Sequence, residues 1–145
     1  KAASEIIAFA DGQKQQLGSN VFEVRIGIHS GPVIAGIIGT QKFAYDIWGD
    51  TVNTASRMES SGVPGAINIS RALRDQIHYL FRCEFRGKVY AKNKGEIDMF
   101  FLNGVKPKYS VKGEGRVPNG EFHFILEKIR HGARIKNQGD IRGSK

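Results

Sequence analysis

The sequence contains a single cysteine, Cys83, in 145 residues. One cysteine closes no internal disulfide and supports no cysteine-built zinc site. The reducing cytosol, or the cytosolic face of a membrane protein, is therefore the expected compartment. Long apolar runs are missing as well. The longest, Pro32 to Ile38, is interrupted by Gly36 and falls far short of the ~18 residues that mark a membrane span. No basic-then-apolar leader opens the chain. The common nucleotide and hydrolase motifs are also absent. Gly31 and Gly36 have the spacing that opens a Walker loop, but Ile37 and Ile38 stand where Lys and Ser/Thr are required. There is no G-x-G-x-x-G. His29, His78, His123 and His131 show no metal-ligand spacing. Ser30 lacks the flanking glycines of a nucleophile elbow.

What is present is globular. Hydrophobic residues make up 40% and charged residues 25%. The first residue is Lys1 rather than Met, so the chain reads as a piece of something longer. The net charge is +8, but it is uneven. Residues 1–105 carry 12 Lys+Arg against 10 Asp+Glu, and residues 106–145 carry 10 against 4. The excess thus belongs to the C-terminal tail. The basic run from Lys128 to Lys136 has no interleaved aromatics and no reader fold, so a solvated extension is expected and no nucleic-acid partner.

Periodicity gives a coarse order of elements. Ala2 to Leu17 reads as a helix with Ile6, Ile7, Phe9 and Ala10 on one side. Phe22 to His29 alternates like a half-buried strand, and Val33 to Ile38 reads as its hairpin partner across Ser30-Gly31-Pro32. Gly39 to Asp46 is loop-like. Asp50 is the expected N-cap of a helix over Thr51 to Ser60. Ala66 to Ile69 reads as a strand, and Ser70 as the cap of a helix from Arg71 to about Phe81. Glu84 to Lys92 and Glu96 to Leu102 form an expected antiparallel pair. This order implies an α+β sandwich. Past Gly104 the pattern fades, with one more helix at Glu121 to Arg130 and a flexible basic tail from Gly132.

Chemistry concentrates in Phe43 to Ser60. Asn53 and Arg57 are four apart and share one helix face. A guanidinium can meet phosphate oxygens bidentately, and an amide beside it can position a ribose. Asp46 precedes the apolar pair Ile47-Trp48. A carboxylate there can accept from an exocyclic amine while its neighbours cover a base. The alternative is a plain capped helix with an exposed polar pair.

The run Phe43–Ser60, with Val24–Gly36 before it, closely resembles the class III adenylate/guanylate cyclase catalytic domain. The resemblance continues through Ile67–Ser70, Phe85–Lys88 and Ala91–Gly95 to Met99–Leu102, so it covers residues 1–104 and leaves 105–145 as a basic C-terminal extension. It implies a ferredoxin-like α+β sandwich that converts a nucleoside triphosphate to a 3′,5′-cyclic monophosphate and pyrophosphate, at sites shared between two domains of a homodimer. By position, Asp46 and Ile47 match the purine site, with aspartate implying adenine where guanylate cyclases carry a small residue such as Cys. Asn53 matches the residue that orients the ribose, Arg57 the one that stabilises the α-phosphate, and Lys92 the one that reaches the terminal phosphates.

Taken together, ATP is the implied substrate. Asn93 departs from the glycine often found after that lysine. The resemblance also implies two divalent ions, Mg or Mn, on aspartates that would precede Lys1, so no metal ligand is expected in this chain. Any membrane attachment would come through an upstream segment. The fragment alone is expected to be inactive. A degenerate cyclase-like dimerisation or nucleotide-binding module, and a guanylate cyclase, are the alternatives.

Overall fold

The structure, a computed structural model, describes residues 2–17, 23–38, 44–91 and 95–131. The elements are α1 (Ala2–Leu17), β1 (Ile26–Ile28), β2 (Ile34–Ile38), β3 (Ala44–Trp48), α2 (Asp50–Ser60), β4 (Ile67–Ser70), α3 (Arg71–Ile77), β5 (Phe81–Ala91), β6 (Gly95–Val105) and α4 (Gly120–Arg130), with two short 3-10 turns between β6 and α4. The chain divides into two compact units, Lys1–Ile77 with Cys83–Asn103, and His78–Arg82 with Gly104–Lys145. The fold is α+β, as the resemblance implies.

In the first unit a four-stranded sheet runs in the order β1-β4-β6-β5. β1 pairs with β4 in parallel, Ile26 opposite Ile67 and Ile28 opposite Ile69, while β4 and β6 are antiparallel. Contacts between β5 and β6 run in opposite senses: Glu84 with Asn103, Phe85 with Phe100, Lys88 with Glu96. β4 is buried along its whole length. Its alternation therefore serves two covered faces rather than one. Ile67 and Ile69 join Phe100 in a core to which Ala3, Ile7, Leu73 and Ile77 contribute from α1 and α3. Asn68 points the other way, to the carbonyl of Met58 in α2.

Several expectations need correction. β1 is not the hairpin partner of β2; β2 pairs with β3 in a separate two-stranded sheet. The stretch read as a loop up to Asp46 includes strand residues Ala44, Tyr45 and Asp46. The strand beginning at Phe22 is observed only over Ile26–Ile28, and Phe22 itself lies outside the described residues. α3 stops at Ile77, short of Phe81, which opens β5. In α1, Ala3 and Ile7 face the core, whereas Ile6 and Phe9 are exposed. Ala3 and Ile7 are one turn apart and form the inward stripe, whereas Ile6 and Phe9 fall to one side of it and away from the core.

The second unit has its own small core of Leu80, Val105 and Phe122, packed by Tyr109, Ile125 and Ile129. Phe81 meets Phe122 edge-on with centroids 5.6 Å apart. Asn119 caps α4: its Oδ1 accepts from the Phe122 N–H at 3.0 Å. Gly104 requires its missing side chain, because a Cβ would approach the Gly115 carbonyl oxygen to 2.5 Å. The expected flexible segment from Gly132 lies outside the described residues.

Candidate active site

The local sequence builds α2 so that one stripe is locked and the next is offered to solvent. Thr54 and Met58, four apart, are buried at 3% and 0% exposure. Asn53 and Arg57 each lie one position earlier and are exposed. Burial of the Thr54/Met58 stripe therefore fixes the rotation of the helix, and that rotation turns Asn53 and Arg57 outward together.

The helix start also differs from expectation. Gly49, not Asp50, occupies the N-cap, with φ 125°, a conformation that favours glycine. No side chain caps the helix there. Asp50 is instead the first helical residue, where its negative charge still favours the positive end of the helix dipole. The Thr54 hydroxyl donates to the Asp50 carbonyl at 2.9 Å, and the Thr51 hydroxyl donates to the Pro32 carbonyl, tying the start of α2 to the turn after β1.

Asp46 is the central residue of β3, opposite Gly36 of β2, and Ile47 follows it opposite Ala35. Ile47 is 45% exposed. Gly49 alone separates β3 from α2, so Asp46, Ile47, Asn53 and Arg57 lie on consecutive elements. Lys92 lies outside the described residues, between β5 and β6. Near that end of the pair, Lys88 donates to Glu96 at 3.0 Å, and this bond raises the Lys88 pKa above its ordinary value. An open groove of about 550 Å³ lies between residues 29–34 and 49–51. It borders the first turn of α2 rather than the Asn53/Arg57 stripe. His29 at its edge hydrogen-bonds through Nδ1 to Ser70 Oγ at 2.6 Å, which gives that histidine a structural partner.

Among the described residues, no group of three or more His, Cys, Asp or Glu is placed to hold a metal ion. Asp11 lies in α1 and Asp50 at the start of α2. The donors among the described residues do not fit a pair of divalent ions. No helix of the described residues is long and apolar enough to cross a membrane.

Sequence reasoning found the Asn53/Arg57 pair but missed what holds it. Gly27 in the middle of β1 was the available signal, because an interior strand glycine marks a close backbone approach.

Residues 3–104 match the family described as the adenylate and guanylate cyclase catalytic domain. Guanylyl cyclase C of Homo sapiens is 40% identical over 110 residues, 73% of this chain and 10% of that protein. The chain thus spans about a tenth of that relative's length. Among solved structures, the guanylate cyclase domain of RhGC from Catenaria anguillulae, in complex with GTP, superposes with a TM-score of 0.63 at 36% identity, over 72% of this chain and 57% of that one. The adenylyl cyclase CyaB from P. aeruginosa superposes with a TM-score of 0.58 at 28% identity, over 70% and 56%. By its sequence over two thirds of its length, and by the fold that carries Asn53 and Arg57, this chain belongs to the class III adenylate and guanylate cyclase catalytic domain family.

Proposed function

We propose that this chain supplies the base-, ribose- and α-phosphate-contacting part of a nucleotide cyclase site that forms 3′,5′-cyclic AMP and pyrophosphate from ATP. The observation that carries the proposal is the exposed Asn53/Arg57 stripe on a helix whose neighbouring stripe is fully buried. In the reaction the ribose 3′-oxygen attacks the α-phosphorus. A new O–P bond forms, the bond to the pyrophosphate oxygen breaks, and the 3′-hydroxyl proton leaves to solvent. Little covalent work falls to the protein, so positioning and charge stabilisation dominate. Asn53 orients the ribose. Arg57 meets the charge that grows on the α-phosphate oxygens. Lys92 holds the terminal phosphates.

Asp46 and Ile47 form the base pocket. The carboxylate accepts from the exocyclic amine of adenine, and Ile47, exposed on β3, offers apolar cover for the ring. A second reading has a specific support. The curated relative and the GTP-bound structure named above are guanylyl cyclases, which favours GTP. Residues 105–145 act as a basic extension of the domain that residues 1–104 belong to. The site is completed by a second cyclase domain in a homodimer, and the two divalent ions, Mg or Mn, are held by aspartates on a segment preceding Lys1. Localisation is at the cytosol or the cytosolic face of a membrane.

The test is to incubate the full-length protein with ATP or GTP and Mg²⁺ or Mn²⁺ and to identify the cyclic product. Cyclic AMP supports the Asp46 reading. Cyclic GMP as the main product replaces it with the guanylate reading. Nucleotide binding without any cyclic product identifies a degenerate module.

A further inference from the structure

The last turn of α2 is held by two residues that are register partners in the sheet beneath it. Gly27 of β1 lies opposite Asn68 of β4. Gly27 lets the helix backbone descend onto β1: a Cβ there would overlap the Glu59 nitrogen and approach the Met58 carbonyl carbon to 2.5 Å. Asn68 works from the neighbouring strand. It is fully buried, and its Nδ2 donates to the Met58 carbonyl at 2.7 Å.

That carbonyl is one of the last four of the helix, which lack regular intrahelical partners. The following N–H groups of Ser61 and Gly62 bond to Arg57 and Glu59 instead. Asn68 therefore caps one of those that they leave. Its Oδ1 is buried with no hydrogen-bond partner. A buried amide with an orphan acceptor is a poor source of stability. What it supplies is direction, because a short bond to one carbonyl fixes both the height and the axial position of the helix.

Arg57 directly precedes Met58, and Asn53 lies one turn earlier. We infer that Gly27 and Asn68 are positioning residues for the cyclase site, setting α2 on the sheet so that Arg57 and Asn53 meet the nucleotide. This rests on the function proposed above. The helix is stiff over one turn, so a shift at Met58 reaches the guanidinium. A misplacement of about 1 Å can cost ~100-fold in rate.

The experiment uses the full-length protein with Asn68→Leu, and with Asn68→Ala and Gly27→Ala alongside in case one fails to fold. Leu73→Ala, which loosens the core on the opposite face of the sheet, is the control for lost stability. Two readouts are taken. The first is hydrogen exchange of residues 57–62, which needs no turnover. The second is kcat and KM, per site counted by binding of a 3′-deoxy nucleoside triphosphate that cannot cyclise.

Asn68→Leu is expected to speed exchange in 57–62 by about tenfold or more and to lower kcat by ~10–100-fold with KM nearly unchanged. In an Arg57→Ala background the same substitution should cost clearly less than it does in the wild type, because part of its effect runs through that residue and only the part that runs through Asn53 is left. The inference is overturned by unchanged exchange in every variant, by a kcat loss no larger than that of Leu73→Ala, or by a full-sized loss in the Arg57→Ala background. A wild-type protein that makes no cyclic product overturns the proposed reaction and the positioning role together. Activity with additive losses overturns the positioning role alone.

Discussion

The two compact units differ in where their polar groups work. The first buries polar side chains to place others: Asn68 of β4 lies under α2, Thr54 is on the buried face of that helix, and Asn53 and Arg57 emerge from its exposed face. The second buries almost only apolar groups, and its one buried polar side chain, Ser110 among the described residues, closes a local turn by accepting from Gly115 N at 2.9 Å. Charge follows the same division. Residues 106–145 carry 10 of the 22 basic residues yet no candidate site residue, whereas the nearly balanced remainder carries all of them. Net charge thus says little about where chemistry happens, and a buried scaffold beneath an exposed polar pair says more.

That contrast can be broken at several points. Phe122→Ala should remove the centre of the second core and destabilise that unit by about 3–5 kcal/mol. Hydrogen exchange should then quicken across residues 104–131 while 67–70 stays protected; equal loss in both regions would erase the distinction between the units. Asp46→Cys should lower turnover of ATP relative to GTP by ~10–200-fold, the range for one pocket contact. An unchanged ratio removes Asp46 from base selection. Asn119→Ala should cost the second unit about 1 kcal/mol through the lost cap, measured by urea denaturation, with no change in kcat.

The smallest effect concerns pH. Burial raises the Tyr79 pKa above its ordinary 10.0. The unfolded chain then loses this proton first, so the second unit should lose stability as pH rises from about 10 through the folded value. Tyr79→Phe should abolish that part of the alkaline loss, and an unaltered profile would remove Tyr79 as its cause.

The helix that matters most was the easiest element to read. Its polar and apolar residues fall at helical spacing, glycine precedes it, and Ser61-Gly62 ends it. Strand pairing was legible only where it is local. The β5–β6 pair, three residues apart, was foreseen. The β1–β4 pair was not, because parallel strands forty residues apart leave no turn signal, and Ser30-Gly31-Pro32 looks the same whether the chain folds back or passes to another sheet. The clamp under α2 was hidden for a related reason. In Ile67-Asn68-Ile69-Ser70 the alternation suggests a solvent face at Asn68 and Ser70, and only the tertiary position of α2 turns that face into an interior. The candidate site was legible to the level of the Asn53/Arg57 pair because helix periodicity fixes their shared face. Its support was not, because it is built across three elements.

The most direct test of the account is turnover of the full-length protein with Arg57→Ala, measured as cyclic product per nucleotide-binding site. Loss of a charge-stabilising donor should lower kcat by ~100–1000-fold, about 2.7–4 kcal/mol, with nucleotide affinity much less affected. Undiminished kcat would contradict the assignment of the exposed stripe on α2 as the reacting surface.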